Sequence, residues 1–280
     1  MAPRPRVAVV GHVEWITFAR VPHVPLPGEI VQATESWDEV GGSGAVAAVQ
    51  LAKLAGGAEF FTALGSDELA RRAKERLAEL GVTVYAADRP VPQRRAWVHL
   101  DTDGERTITT IGERIVPRGD DDLPWERLAD ADAVYFTGGD AAALRAARRA
   151  RRLVATPRAY DSIAAAGVDL DALVRSAKDP GEQQTEEGLD PAPDIVVATA
   201  GKEGGEWIGE DRSSGTFKAA ELPGPRRDAY GAGDSFAAGF TFALAIDLPI
   251  EEALQLAARA GAHKLAGRAA YDGQLTAADL

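Results

Sequence analysis

The sequence predicts an α/β protein: a doubly wound, mostly parallel sheet with a small β-sheet lid. Short apolar runs alternate with helical patterns along most of the 280 residues, which is typical of βα units. Two stretches, about residues 13–40 and 94–112, break this alternation and are extended in character. No linker of domain-boundary length and no internal repeat interrupts the chain, so residues 1–280 are predicted to form a single domain.

The predicted elements follow from apolar spacing and from glycines at their ends. Buried strands are short apolar runs, and those of the main sheet are residues 7–10, 58–64, 82–86, 132–137, 153–156 and 194–199. Helices have apolar residues at helical spacing, and they are predicted at residues 46–55, 68–80, 140–150, 234–244 and 251–266. An antiparallel pair is predicted at residues 206–209 and 215–220, whereas residues 172–177 remain ambiguous.

The two insertions supply the predicted lid. Residues 13–40 are extended segments around a proline-rich turn. In the second insertion, residues 95–100 and 106–111 are strand-like runs joined by a segment in which Asp-Gly favours a hairpin turn. A small sheet built from both insertions would enclose a ligand between itself and the main sheet.

Composition excludes several classes of protein and site. The net charge of −12 argues against a nucleic-acid or anionic-membrane partner. The chain has no cysteine, which excludes disulfides, thiolate metal sites and cysteine nucleophiles. No run is long enough to span a membrane and no apolar leader precedes the first strand, so a cytoplasmic location is expected.

Residues 228–240 carry the strongest chemical signal. Gly231, Ala232 and Gly233 are followed at once by Asp234, at the start of an apolar helical pattern. Small residues let successive N–H groups converge at the positive end of a helix dipole, which predicts an anion site with a carboxylate at its mouth. Transfer of a phosphoryl group to a hydroxyl needs this combination. The ordinary alternative is a glycine-rich turn capped by Asp.

Two further glycine-rich segments occur earlier and later in the chain. Residues 41–44 precede an apolar helix, and residues 199–205 follow a buried strand. The first also fits the loose dinucleotide pattern G-x-G-x-x-G/A. It follows the extended insertion instead of the first strand, which argues against a Rossmann site. A P-loop is excluded because no G-x-x-x-x-G-K-[ST] segment exists.

With these motifs, the chain resembles the ribokinase-like (PfkB) carbohydrate kinases along nearly its whole length. The family's C-terminal signature, Asp-Thr-x-Gly-Ala-Gly-Asp, is similar to residues 228–234, which are followed by Ser and Phe. The N-terminal signature of Gly-Gly, Gly-Ala and Gly-x-Asp is similar to residues 41–45, 57–58 and 65–67. The resemblance implies the fold predicted above and ATP-dependent phosphorylation of a hydroxyl of a sugar or sugar derivative.

The resemblance also implies a role for each motif. The implied catalytic residues are Asp234, as the base, and the phosphoryl cradle of Gly231, Ala232 and Gly233. The implied nucleotide-binding residues are Thr199, Gly201, Gly204 and Asp228. The implied acceptor-binding residues are Gly41, Gly42, Ser43 and Glu14. The implied magnesium-organising residues, in place of an Asn-x-x-Glu motif, are Asp179 and Glu182.

Several positions depart from the family pattern. Ile16 stands where many members have an Asp that holds sugar hydroxyls, and Val46 replaces the usual Asn. Glu14 and His12 are the alternative polar groups for the acceptor. Ala229 replaces the Thr of the signature, which leaves a monovalent cation open.

The acceptor itself is left open by the sequence. Arg94 and Arg95 could reach an anionic group of the substrate, and Trp15, Phe18 and Trp97 would either line an apolar pocket or pack the lid. A nucleoside kinase of the same fold is the alternative within the enzyme class. A non-catalytic nucleotide- or sugar-binding relative is the alternative outside it, and a homodimer formed through the lid is also left open.

Overall fold

The structure, a computed structural model, describes residues 4–184 and 186–280. Residues 1–3, part of the segment in which the sequence predicts no apolar leader, lie outside the described residues. In chain order the strands are β1 (Val7–Val10), β2 (Glu14–Arg20), β3 (Glu35–Gly41), β4 (Ala58–Leu64), β5 (Val82–Asp88), β6 (Arg95–Leu100), β7 (Arg106–Ile111), β8 (Ala133–Phe136), β9 (Leu153–Ala155), β10 (Ala172–Ser176), β11 (Ile195–Thr199), β12 (Gly205–Gly209) and β13 (Ser214–Phe217). The helices are α1 (Ser43–Ala55), α2 (Glu68–Glu79), α3 (Ala141–Ala147), α4 (Tyr160–Ala166), α5 (Ala232–Ala245) and α6 (Ile250–Ala266).

The main sheet has nine strands in the order β13-β12-β11-β10-β9-β8-β1-β4-β5. Seven of these strands, β11, β10, β9, β8, β1, β4 and β5, are mutually parallel, and β12 and β13 add an antiparallel edge. The ambiguous residues 172–177 contain β10, and the short helix α4 was not predicted from the sequence. The predicted fold class is confirmed, including the antiparallel pair at the sheet edge.

Alternating strand residues place an apolar core on each face of the main sheet. Along β1, Val7 and Val9 belong to one buried cluster, which includes residues of α1, α5 and α6. Ala8 and Val10 belong to a second cluster, which includes residues of α3 and α4. Because successive side chains of a strand point to opposite faces, helices on both sides are needed to bury them.

The four-stranded sheet, called the lid sheet below, takes its strands from the two insertions. Its order is β3-β2-β6-β7, with β2 and β6 parallel. The register places Ile16 beside Ala96 and Phe18 beside Val98, and all four are buried. Trp97 lies on the opposite face of the sheet and is 42% exposed. Strand β6 therefore buries one face against the rest of the protein, β2 is mostly buried, and all six residues of the edge strand β7 are exposed.

The loops that follow the parallel strands lie at one edge of the main sheet. They include residues after β1, β8, β9, β10 and β11. In open parallel sheets, ligands bind at this carboxyl edge. The lid sheet begins there as well, since β2 follows β1 after three residues.

Candidate active site

Helix α5 begins directly after Gly231, which has a φ of 76°. A Cβ at Gly231 would lie 2.8 Å from Cγ1 of Val46, so both the backbone conformation and the available space favour glycine. In the described part of the chain, the N–H groups of Gly233 and Asp234 make no backbone hydrogen bond. A Cβ on Gly233 would meet no atom within 4 Å. The first turn of α5 therefore offers free N–H groups beside open space, as an anion site requires.

The carboxyl group of Asp234 lies in the first turn of this helix. Its pKa is raised from 3.8 to about 6, mainly through desolvation and secondly through the negative charge of Glu182. The positive charges of Arg106 and Arg158 oppose this rise. Asp234 is therefore mostly ionised at neutral pH and is a better proton acceptor than an ordinary Asp.

The acceptor segment is joined directly to the C-terminal signature. The hydroxyl of Tyr230 accepts a hydrogen bond from the N–H of Gly42 at 2.8 Å. A Cβ on Gly41 would lie 2.4 Å from Cδ1 of Ile16 and 2.8 Å from the Tyr230 hydroxyl. Glycine is thus required at residue 41 by close packing. The sequence did not single out Tyr230, although it lies inside the signature.

A buried polar group lies beside Ser43. The Nε2 atom of His12 is 3.7 Å from Oε1 of Glu14, and Nε of Arg94 donates to the same oxygen at 2.7 Å. The Ser43 hydroxyl is 3.5 Å from Nδ1 of His12. Burial would raise the pKa of Glu14, but its interactions with His12 and Arg94 produce a net lowering. Glu14 is therefore an ionised hydrogen-bond acceptor in this group, whereas Ile16 is buried and has no polar side-chain atom.

Asp179 and Glu182 are brought together after β10 by Arg158. Nε of Arg158 donates to Oε1 of Glu182 at 2.9 Å, and its guanidinium also pairs with Asp179. The N–H groups of Ser176 and Gly181 donate to the remaining oxygens of Glu182 and Asp179, at 2.7 and 2.8 Å. No cluster of three or more His, Cys, Asp or Glu residues that could hold a metal occurs among the described residues. The pair suits hydrated Mg²⁺ carried by substrate phosphates.

The predicted nucleotide loop follows β11. Thr199 ends that strand, and its hydroxyl donates to the carbonyl oxygen of Arg175 at 3.3 Å. Gly201 and Gly204 have φ values of 66° and 85°. A Cβ on Gly204 would lie 2.0 Å from the carbonyl oxygen of Phe217, so this glycine is needed for the turn into β12. The loop lies at the same sheet edge as Asp234.

Asp228 is fully buried at the turn before Gly231. Its Oδ1 atom accepts a hydrogen bond from the N–H of Tyr230 at 2.7 Å. Oδ2 of Asp228 and Nζ of Lys264 are both buried without a hydrogen-bond partner in the described part of the chain. Burial raises the pKa of Asp228 and the charge of Lys264 opposes the rise. In this conformation Asp228 anchors the turn, a geometry that does not favour its predicted contact with a nucleotide.

The aromatic side chains of the insertions pack the lid sheet. The Phe18 ring stacks on Trp37 with centroids 5.2 Å apart and meets Tyr230 edge-on at 5.2 Å. Trp15 is buried, and Trp97 lies on the exposed face. The packing interpretation therefore applies to Trp15 and Phe18, whereas the exposed Trp97 does not pack the core of the lid sheet.

Comparisons with known proteins agree with this arrangement. The model of the family described as "pfkB family carbohydrate kinase" matches residues 4–173 and 169–276. The chain belongs to the pfkB family of carbohydrate kinases. The predicted family and the predicted class of enzyme, a phosphotransferase that acts on a sugar hydroxyl, are confirmed.

Individual pfkB relatives match over nearly the whole chain. An ATP-dependent ribose-1-phosphate kinase from Halopiger xanaduensis is 28% identical over 272 residues, covering 92% of this chain and 90% of that protein. The structure of ribokinase from Thermotoga maritima has a TM-score of 0.78 at 22% identity, covering 98% of this chain and 97% of that one. A microbiome-derived acarbose kinase has a TM-score of 0.82 at 21% identity with the same coverage. The two structures share the fold of this pfkB kinase.

One further finding concerns membranes. Within the part of the chain that the structure describes, no helix is both long enough and apolar enough to cross a bilayer.

Proposed function

We propose that this protein transfers the γ-phosphoryl group of ATP to a hydroxyl of a sugar or sugar derivative, with Asp234 as the general base. The single observation that carries the proposal is the first turn of α5. There a carboxyl group with a pKa of about 6 stands beside free N–H groups. The buried polar group around Glu14 supplies acceptors for the hydroxyls of a sugar on the same side.

In the proposed step, the acceptor oxygen attacks the γ-phosphorus in line with the leaving group. The bond between the γ-phosphorus and the oxygen bridging to the β-phosphate breaks, and ADP leaves with the electron pair. The hydroxyl proton passes to the carboxylate of Asp234. Because the hydroxyl becomes acidic only as its bond to phosphorus forms, a carboxylate is a sufficient base. The N–H groups of the first turn of α5, including that of Gly233, stabilise the charge that develops on the phosphoryl oxygens.

The Asp179–Glu182 pair fits an ATP-bound magnesium ion through water. All four oxygens of the pair already accept hydrogen bonds from Arg158 or backbone N–H groups. Mg²⁺ keeps several waters and takes its other ligands largely from phosphates, so carboxylates in this state can hold those waters. When bound, the ion neutralises charge on the transferred phosphoryl group. The residues of this chain orient it.

A monovalent cation beside Asp228 does not fit the residues present. The buried ammonium of Lys264 already supplies positive charge there, and it is the main interaction that opposes the rise in the Asp228 pKa. A second cation would be repelled by this ammonium in a poorly screened interior. We infer that the positive charge of Lys264 compensates the negative charge of Asp228 in the signature turn.

The acceptor is best sought among sugars and phosphorylated sugars. The Halopiger relative is named as a kinase of ribose 1-phosphate, which places a pentose phosphate on the test panel. The packing of Phe18 against Trp37 and Tyr230 leaves this ring unavailable to stack on a base, which favours a sugar over a nucleoside. The free N–H groups beside Asp234 oppose a non-catalytic relative. A lid-to-lid homodimer and a cytoplasmic location stay predictions.

The test is ADP release on a panel of sugars, sugar phosphates and nucleosides, for wild type, Asp234→Asn and Asp211→Asn. Asp211 is a matched control because it lies in the β12–β13 turn, at the opposite end of β12 from the loop of residues 199–205. Asp234→Asn is expected to lose about a thousandfold or more in kcat, while nucleotide binding, followed by thermal shift, is retained. Full activity of Asp234→Asn would overturn the assignment of the base.

A further inference from the structure

A cationic cavity of about 300 Å³ borders the Asp179–Glu182 pair, and its Arg114 side has no role in the steps above. It lies between the loops that follow β8 and β9 and the turn that follows β10. Its wall includes Arg114, Gly138, Gly139 and Arg158, and the carboxylate among its lining residues is that of Asp161. Arg158 is already neutralised by Asp179 and Glu182. The charge available to a ligand is therefore mainly that of Arg114.

The guanidinium of Arg114 is partly buried and forms no ion pair with a carboxylate in residues 4–184 and 186–280. It donates to the carbonyl oxygens of Thr137 at 2.8 Å and Arg158 at 3.4 Å and to Nδ1 of His12 at 3.1 Å, while its Nε has no partner there. Burial and repulsion by Arg94 lower its pKa, but a guanidinium stays charged in proteins. A partly buried guanidinium that has no carboxylate partner favours the binding of an anionic ligand.

Two backbone donors line the same cavity. Gly138 and Gly139 are both buried, and within the described residues neither N–H makes a backbone hydrogen bond. A Cβ on Gly138 would lie 3.0 Å from a terminal nitrogen of Arg114, so the guanidinium rests against this glycine. Buried N–H groups are rarely left without an acceptor. A guanidinium and backbone N–H groups in one cavity match the recognition of phosphate.

The position of Arg114 assigns this anion to the acceptor and not to ATP. Arg114 contacts His12, and His12 in turn contacts Ser43 and Glu14, two of the predicted acceptor-binding residues. The predicted nucleotide loop instead follows β11, three strands away from β8 in the sheet order. The charge of Asp234 also acts on Arg114, so the cavity and the base are within electrostatic reach of each other.

We propose that the acceptor is a sugar that already carries a phosphate group. Arg114 and the N–H groups of Gly138 and Gly139 bind that phosphate, and a free hydroxyl at the other end of the sugar is presented to Asp234. The inference rests on the proposed kinase function and specifies its substrate class. The product is a sugar bisphosphate: the hydroxyl oxygen gains the phosphoryl group, ADP leaves and one proton is released.

The test compares ribose, ribonate, ribose 1-phosphate and ribose 5-phosphate as acceptors for wild type, Arg114→Gln and Arg118→Gln. Wild type is expected to use a ribose phosphate at least about a hundredfold more efficiently than ribose. Arg114→Gln is expected to raise KM for that acceptor about thirtyfold, with little change in KM for ATP. Arg118 is the matched control because it is exposed on the same segment. Thermal unfolding checks that each variant is folded.

Each contrary outcome is distinct. Equal or better use of ribose or ribonate would overturn the phosphate site while leaving the kinase function in place. A rise in KM for ATP in Arg114→Gln, without one for the acceptor, would assign the cavity to the nucleotide and also overturn it. If no acceptor supports ADP release, the kinase function fails. Binding of ribose 1-phosphate to wild type but not to Arg114→Gln would then still establish the anion site, and equal binding would refute it.

Discussion

The hydroxyl of Tyr230 accepts a hydrogen bond from the N–H of Gly42 at 2.8 Å, and this contact ties the acceptor segment to the turn that leads into the catalytic helix. The two residues are 188 positions apart in the sequence. Desolvation raises the pKa of Tyr230 well above its ordinary value, so the hydroxyl remains protonated. A buried, neutral contact thus joins the segment of Gly42 to the turn before Asp234, beside the packing of Gly231 against Val46.

Removal of this hydroxyl should cost both stability and acceptor affinity. Tyr230→Phe leaves the Gly42 N–H without an acceptor, which is expected to lower the free energy of unfolding by about 1–3 kcal/mol and to raise KM for the acceptor several-fold. Urea unfolding and steady-state kinetics measure the two effects. Tyr271→Phe is the control, because in the described part of the chain the buried Tyr271 hydroxyl has no hydrogen-bond partner. Equal losses in both variants would contradict the prediction.

Activity should fall on the acid side of neutrality. The pKa of Asp234 is about 6, and the base acts only when ionised, so kcat/KM is expected to rise with pH through about 6 and then level off. Glu182→Gln removes a negative charge that raises this pKa, so the acid limb should move to lower pH even though the rate itself drops. A profile that stays flat from about pH 5 to 8, or a shift to higher pH in Glu182→Gln, would contradict the assignment.

The two glycines of the cradle should differ in their tolerance of a methyl group. Gly231→Ala forces a left-handed conformation on alanine and a contact of 2.8 Å with Val46, so a loss of about 2 kcal/mol or more in unfolding free energy is expected. Gly233→Ala adds a methyl into open space within a helix and should be neutral or slightly stabilising. Chemical denaturation of the two variants provides the comparison. A larger loss for Gly233→Ala would show that the cradle geometry is different.

The Lys264–Asp228 pair should make stability depend on pH in a defined direction. Lys264→Met leaves Asp228 buried without a counter-charge, which is expected to cost about 3 kcal/mol at neutral pH. The folded-state pKa of Asp228 is already raised by burial and should rise further in the variant. The destabilisation of the variant is present above that pKa and is lost as the pH falls through it. The difference in unfolding free energy between wild type and variant should therefore narrow in acid. The double variant Lys264→Met/Asp228→Asn should recover much of the loss at neutral pH, and no recovery would argue against the pairing.

The same pair predicts that catalysis needs no added monovalent cation. With the Lys264 ammonium in place, kcat is expected to be equal in potassium chloride and in tetramethylammonium chloride at matched ionic strength. The measurement is ADP release in the two salts. Strong activation by potassium ions would show that a cation binds near Asp228 in spite of the ammonium.

Much of the fold was predictable because its signals are local. Apolar runs ended by glycine located the strands of the main sheet, and an Asp-Gly turn located the β6–β7 hairpin. The ambiguous residues 172–177 contain β10, whose first three residues are buried in the sheet interior. A short apolar run has the same periodicity in a helix and in a buried strand, so only its neighbours could decide between them.

The sequence by itself determined the family, the alternating α/β order and the place of the phosphoryl cradle, because each depends on residues close together in the chain. Tertiary structure alone decided that Arg114 contacts His12, 102 positions away in the sequence, and that Arg94 donates a hydrogen bond to Glu14. It also decided that Phe18 stacks on Trp37 and that the buried Lys264 lies within electrostatic reach of Asp228. These contacts join distant segments, and the burial that gives each charge its energy exists only after the chain has folded.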